Sequence, residues 1–271
     1  MKLGGRVAVI TGAGSGIGRG IALAASRRGC HLCLADVNQD GLAETANMIR
    51  GVRISTVKLD VTDRAATSAL PQEVMAEHGR VDLLVNNAGV AIGGTFEQVA
   101  AEDFDWLLDV NFHSVVRLTR AFLPHLKASD SARIVNVSSL FGLIAPPGQT
   151  AYCASKFAVR GFSESLRKEL EEERSTVGVT VVHPGGVNTS IARNARLPRN
   201  LSNEERSMAV EEQERFQKFL RMSPVQAGEI IVSAVEAEKP RVLVGNDAKL
   251  GSLFERIAPI GYWKIMERLT K

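Results

Sequence analysis

Short apolar runs alternate with longer amphipathic stretches along most of the chain. Val7-Ala8-Val9-Ile10 and Leu83-Leu84-Val85 are unbroken apolar runs, as expected of parallel strands buried on both faces. The pattern predicts strands at 6–10, 31–35, 53–58, 82–85, 133–137, 178–183 and 241–245. Helical stretches are predicted near 17–28, 40–50, 64–78, 102–127, 151–173 and 224–237. The fold class that follows is α/β, a doubly wound parallel sheet of about seven strands with helices on both faces. The rhythm breaks at 190–222, a stretch rich in Arg, Asn, Glu and Ser. That segment reads as a mobile or helical insertion. Residues 250–271 follow the last strand and mix large apolar with basic residues.

Composition narrows the function classes. With 271 residues, 45% of them hydrophobic, the chain can build one sizeable core. The net charge is +3, from 33 basic and 30 acidic residues interspersed along the sequence, which argues against a nucleic-acid binder. Cys30 and Cys33 form a C-x-x-C. Beside a strand, however, positions i and i+3 point to opposite faces, and the five histidines are scattered. No metal site is expected. Met1-Lys2 leads almost directly into a strand, so no signal peptide is expected. No apolar stretch is long enough to span a bilayer. The expected location is the cytoplasm.

In an open parallel sheet, ligands bind beyond the carboxyl ends of the strands. Polar and glycine-rich clusters fall at that edge after six strands. They are Thr11-Gly12-Ala13-Gly14-Ser15-Gly16-Ile17-Gly18, Asp36, Asp60-Val61, Asn86-Asn87-Ala88-Gly89, Ser138-Ser139 and Pro184-Gly185. Each alone reads as a turn. The first lies between a strand and a helix, where glycines let backbone N–H groups approach a pyrophosphate and the helix dipole favours negative charge. Its spacing is G-x3-G-x-G, at Gly12, Gly16 and Gly18, rather than G-x-G-x-x-G. With Asp36 at the end of the next strand, it points to a dinucleotide.

Tyr152 and Lys156 stand at i and i+4 on a predicted helix and so share one face. A free phenol titrates near 10, and a neighbouring cation lowers that by roughly 1–3 units. The pair is therefore a candidate acid/base couple.

Taken together, Gly12-x3-Gly16-x-Gly18, the Asn-Asn-Ala-Gly of 86–89, Ser139 and Tyr152-x3-Lys156 resemble the single-domain branch of the short-chain dehydrogenase/reductase superfamily. The match runs over about residues 5–190, and Pro184-Gly185 followed by Val187 and Thr189 fits it as well. The resemblance implies a Rossmann-type fold and one dinucleotide-binding and catalytic domain over 1–271, with a substrate lid near 190–222. It also implies roles. Gly12, Ser15, Gly16, Ile17 and Gly18 cradle the dinucleotide phosphates. Asp60 and Val61 flank the adenine. Asn87, Ala88 and Gly89 line the ribose. Pro184 and Gly185 lead to Val187 and Thr189, which hold the nicotinamide carboxamide. Tyr152 is the proton-transfer residue. Lys156 supports it and bonds the nicotinamide ribose. Ser139 donates to the substrate oxygen, and Asn111 holds a proton-relay water.

Asp36 selects the cofactor. A carboxylate there accepts hydrogen bonds from the adenosine ribose and repels a 2′-phosphate. Ser15 and Val37 stand where relatives that use the phosphorylated cofactor carry a basic residue. NAD is therefore expected, with NADP second. Arg19 reads as a surface helix residue.

The expected substrate is a small secondary alcohol or ketone. Leu140, Phe141, Leu143 and Ile144, with Val90, Ala91 and Ile92, suggest a lipophilic one. Arg193, Arg196 and Arg199 read as a solvated charged face. The tail, with Leu253, Phe254, Ile257, Ile260, Tyr262, Trp263, Ile265, Met266 and Leu269, is expected over the pocket or at a subunit interface, ahead of a membrane surface. By analogy the chain is a homodimer or homotetramer through the helices near 102–127 and 151–173. The alternatives are a catalytically silent nucleotide sensor and an NADP-dependent carbonyl reductase.

Overall fold

A computed structural model describes residues 1–264. Seven strands form one parallel sheet: β1 (Val7–Thr11), β2 (His31–Asp36), β3 (Ile54–Lys58), β4 (Leu83–Asn86), β5 (Ala132–Val137), β6 (Val177–Pro184) and β7 (Arg241–Val244). Their order across the sheet is β3-β2-β1-β4-β5-β6-β7. The winding reverses between β1 and β4, which opens a crevice at the carboxyl ends of those two strands.

The pleat divides each strand between two cores. Ala8 and Ile10 face one side, where they meet α1 (Gly16–Ser26), α2 (Gln39–Asn47) and α8 (Pro224–Glu236). Val7 and Val9 face the other, toward α3 (Arg64–His78), α5 (Ser114–Lys127) and α6 (Thr150–Glu172). Cys30 and Cys33 belong to opposite cores, and both are free thiols. On the first side α1 and α8 meet backbone to backbone. A methyl group on Gly20 would strike the Pro224 carbonyl, and one on Gly228 would strike Gly20.

The helical stretch predicted near 102–127 is continuous but not uniform. α4 (Ala101–Leu108) passes through one turn of π-helix, Asp109–His113, before α5 begins. The 190–222 segment contains α7 (Asn203–Phe219), which has no buried residue. A capping box starts it: the Ser202 hydroxyl accepts from Glu205 N and the Glu205 carboxylate accepts from Ser202 N. After β7 comes α9 (Asn246–Ile257). Among the described residues, no helix is long and apolar enough to cross a membrane. Ile265, Met266 and Leu269 of the tail lie outside the described residues.

Candidate active site

The glycine loop leaves β1 at Gly12, whose φ of +66° is strained for residues with a side chain. The turn is tight enough that a methyl group on Gly18 would collide with the Gly12 carbonyl and the Asn87 amide. Gly16 lies under Thr189, whose Cγ2 would be 3.1 Å from a Cβ there. Ser15 is the exposed N-cap of α1, and its hydroxyl makes no capping bond. Ile17 packs against the first core.

Asp36 closes the loop from the next strand. Its Oδ2 accepts from Gly14 N at 2.8 Å and its Oδ1 from Asn38 N at 2.9 Å. Arg19 is not the solvated helix residue expected from the sequence. Its Nη2 donates to the Gly14 carbonyl at 2.5 Å and its Nε to Thr45 Oγ1 at 2.9 Å. The side chain therefore reaches from α1 across to α2, which places neighbours the local sequence does not reveal.

The β4 turn is held against this loop by Thr11. The Thr11 hydroxyl accepts from the backbone N–H groups of Asn87 and Ala88, at 3.0 and 3.1 Å. Asn87 Nδ2 returns a bond to the Thr11 carbonyl at 2.9 Å. Thr11 is absent from the sequence-derived set. Its signal was a lone hydroxyl at the end of an apolar strand, immediately before the glycines.

Tyr152, Lys156, Ser139 and Asn111 come from three separate elements. Tyr152 and Lys156 stand near the start of α6, Ser139 follows β5, and Asn111 lies in the π turn. Gly89 lies where they approach each other: a Cβ there would be 3.2 Å from Asn111 Oδ1 and 3.4 Å from Lys156 Nζ. Asn111 is not the exposed polar residue that middling helix propensity would allow. It is buried, accepts from Val90 N at 2.8 Å, and donates to Val90 O at 2.9 Å and Ser155 Oγ at 3.1 Å. The wider π turn aims its amide inward.

Ser138 and Ser139 meet different surroundings. Ser138 Oγ donates to the Lys156 carbonyl at 2.8 Å inside the protein. Ser139 is partly exposed, and its Oγ accepts from Phe141 N at 3.1 Å. His183, fully buried on β6, has Nδ1 2.9 Å from the Ser139 carbonyl. A carbonyl only accepts, so Nδ1 carries the proton. His183 was not singled out in the sequence, although it directly precedes Pro184-Gly185.

The electrostatics differ from expectation. Burial pushes the Tyr152 phenol up to about 12, and a hydrogen bond with Ser139 pulls the other way. Burial pushes Lys156 down to about 8. The ammonium lies 5.6 Å from the centre of the Tyr152 ring and donates to the Val137 carbonyl at 3.2 Å. Desolvation of the two groups outweighs the expected lowering of the phenol by the lysine.

The remaining predicted residues spread along the same edge. Asp60 is exposed and accepts from Thr62 N and Oγ1 at 2.9 and 2.7 Å. Val61 is buried in the second core. Pro184 ends β6, Gly185 N donates to Val244 O at 2.9 Å, and Val187 is buried. Asp247 on α9 accepts from Gly186 N and so ties the segment after β6 to the C-terminal helix. Tyr262 Oη accepts from Ala145 N at 2.8 Å, which lays Tyr262 over the loop after Ser139.

The 190–222 segment is fastened on the other side. Asp103, only 4% exposed, receives Arg196 at 3.2 Å and Arg199 at 2.8 Å. The Arg196 guanidinium stacks 3.3 Å above the Trp106 ring. These two arginines keep solvated side chains, as expected of them, and also form a clasp on α4. Arg193 is exposed.

Comparison with known proteins identifies the family. The family model for short chain dehydrogenases matches residues 6–200. SadH of Mycobacterium tuberculosis is 44% identical over 269 residues, 97% of this chain and 94% of its own. The oxidoreductase UcpA of Salmonella typhimurium is 41% identical over 194 residues, 70% of this chain and 73% of its own. A short-chain dehydrogenase/reductase from Burkholderia phymatum, crystallised in complex with NAD, superposes with a TM-score of 0.88 at 30% identity, covering 94% of each chain. On the strength of its sequence match and its sheet topology, this chain belongs to the short-chain dehydrogenase/reductase family of NAD(P)-dependent oxidoreductases.

Proposed function

We propose that the protein is an NAD-dependent dehydrogenase acting on a lipophilic secondary alcohol, or on the corresponding ketone in reverse. The observation that carries this reading is the approach of Asn111 and Lys156 to Gly89, with Tyr152 on the same helix face as Lys156 and Ser139 beside the phenol.

The chain's own atoms fit a dinucleotide. The close-packed glycines leave no side chain over the start of α1, and the uncommitted Ser15 hydroxyl stands at its N-terminus, a favourable position for phosphate. Asp36 holds the adenosine ribose, and its charge disfavours a 2′-phosphate. Asn87, Ala88 and Gly89 flank the central part of the cofactor, with Asp60 and Val61 at the adenine end. Val187 and Thr189 hold the carboxamide end. When bound, the nicotinamide supplies the hydride acceptor or donor.

Tyr152 moves the proton at its phenolic oxygen. A phenol held near 12 is an acid, ready to protonate a ketone oxygen as it gains charge. In the oxidative direction Tyr152 must first lose its proton, which a positive charge brought beside it favours. Ser139 donates to the substrate oxygen where negative charge develops. Lys156, anchored on Val137 O, keeps an ammonium beside the phenol and bonds the nicotinamide ribose. Asn111 orders the path by which protons reach Lys156.

Support for a lipophilic substrate comes from the loop after Ser139. Leu143 and Ile144 are buried, and the Phe141 ring meets Tyr152 edge-on at 6.2 Å. The 190–222 segment acts as the lid. Partly exposed Phe157 on α6 is consistent with subunit pairing through α5 and α6, which gel filtration tests.

The deciding experiment follows NADH formation against a panel of secondary alcohols, with Tyr152→Phe as control. Turnover lost in the variant supports the assignment. Tight NAD binding without turnover of any panel member would favour a silent nucleotide-binding protein.

A further inference from the structure

We propose that Arg19 is a second cofactor-specificity residue, positioned to hold a 2′-phosphate once the Asp36 carboxylate is removed. The inference rests on the dinucleotide reading above and adds a residue to it.

Gly14 is gripped from both sides. Its N–H donates to Asp36 Oδ2 at 2.8 Å, and its carbonyl accepts from Arg19 Nη2 at 2.5 Å. Opposite charges thus face each other across a single glycine. A Cβ on that glycine would lie 3.0 Å from the Asp36 carboxylate and 3.3 Å from Asn38 O, so a side chain there would crowd the carboxylate. The carboxylate that reads the ribose and the guanidinium are thus both anchored on the backbone of Gly14.

Arg19 is held there rather than swept through solvent. Nε donates to Thr45 Oγ1 at 2.9 Å. Nη2 also reaches Glu44 Oε2 at 2.8 Å, and Glu44 is 63% exposed. Nη1 makes no hydrogen bond among the described residues, so one edge of the guanidinium keeps free donors. The solvated partnership with Glu44 is weak and gives way to a phosphate dianion at little cost. Arginine presents the planar fork that phosphate favours. With Asp36 in place, its repulsion of a 2′-phosphate outweighs this attraction. The preference for NAD over NADP rests on the Asp36 carboxylate and on the lack of a basic residue at positions 15 and 37. The structure places a basic residue beside the loop, with Asp36 counteracting it.

The test is calorimetric titration of NAD and NADP into the full-length protein and three variants: Asp36→Ser, Asp36→Ser/Arg19→Met and Asp36→Ser/Arg19→Lys. Asp36→Ser is expected to bind NADP about ten- to a hundred-fold more tightly than the unaltered protein does, the scale of a charge-assisted hydrogen bond. Adding Arg19→Met should remove about tenfold or more of that gain, the part owed to the guanidinium, and lower the NADP-to-NAD affinity ratio. Arg19→Lys should retain part of it. Equal NADP affinity with and without Arg19 overturns the proposal. So does an equal loss of both cofactors in the methionine variant, which would leave Arg19 as a loop support only. Failure of the unaltered protein to bind either nucleotide is a different outcome: it removes the dinucleotide reading and this inference with it.

Discussion

Lys156 lies 5.6 Å from the centre of the Tyr152 ring while its ammonium donates to the Val137 carbonyl. The two residues share a helix face, as the i, i+4 spacing requires, yet the lysine is committed to the end of β5. The phenol is an acid pushed up to about 12 and the amine a weakened base near 8. Both shifts have one cause, burial. Any ligand that brings charge beside them will move both.

Tyr152→Phe is expected to lower turnover by about two to four orders of magnitude, the range for loss of a positioned acid/base group, while leaving NAD affinity unchanged. Steady-state rates with parallel nucleotide titration check this. A rate within about tenfold of the unaltered protein would remove Tyr152 from proton transfer.

Asn111→Leu replaces an amide that serves both backbone groups of Val90 and the Ser155 hydroxyl. Leucine fills similar space but leaves the part-buried Val90 N–H and C=O without this partner, at about 1–2 kcal/mol each. Urea unfolding should show a loss of about 3 kcal/mol. An unchanged midpoint would mean that water replaces the amide.

Asp103→Ala releases Arg196 and Arg199 together. Asp103 is held below the usual carboxylate range, chiefly by its hydrogen bond to Arg199, and it joins the 190–222 segment to α4. Limited proteolysis within 200–222 is expected to accelerate about fivefold or more, the effect of losing one or two kcal/mol of local stability. Equal cleavage rates would place the hold on this segment elsewhere.

His183 should make the protein acid-sensitive. Burial lowers it from the ordinary 6.5 to about 4. Between those values the unfolded chain takes up a proton that the folded one refuses, so the native state loses stability as pH falls. The contribution is fully present above pH 6.5 and is lost as pH drops through 4, in all about 3 kcal/mol. His183→Asn keeps a donor for the Ser139 carbonyl and removes the titration, so it should flatten this limb of the stability profile. Urea melts at successive pH values measure it, and an unaltered slope would assign the sensitivity to other groups.

Much of the fold could be read from local pattern. Each predicted strand overlaps an observed one, because a strand buried on both faces must be apolar throughout. The 102–127 helix was read correctly as helical, but its π turn was not: one extra residue in a turn leaves no mark on a hydrophobic period. Helix α7 escaped definite prediction because it buries no residue and its few apolar side chains, Met208, Val210, Phe216 and Phe219, are thinly spread among charged ones. The clustering of candidate site residues at the carboxyl edge was legible because turn residues after parallel strands all emerge on one side. Thr11, His183 and Asp247 were missed because what they do depends on neighbours far away in sequence.

Sequence by itself determined the alternation, the glycine spacing, the Tyr152-x3-Lys156 register and the carboxylate at Asp36. These are local properties, set by periodicity and by which residues a turn tolerates. Tertiary structure alone decided how charge is balanced among them. It committed Lys156 to Val137, set Arg19 and Asp36 against one glycine, fastened Arg196 and Arg199 to Asp103, and laid Tyr262 over the loop after Ser139. Burial and through-space distance govern pKa values and ion pairs, and neither quantity exists until the chain has folded.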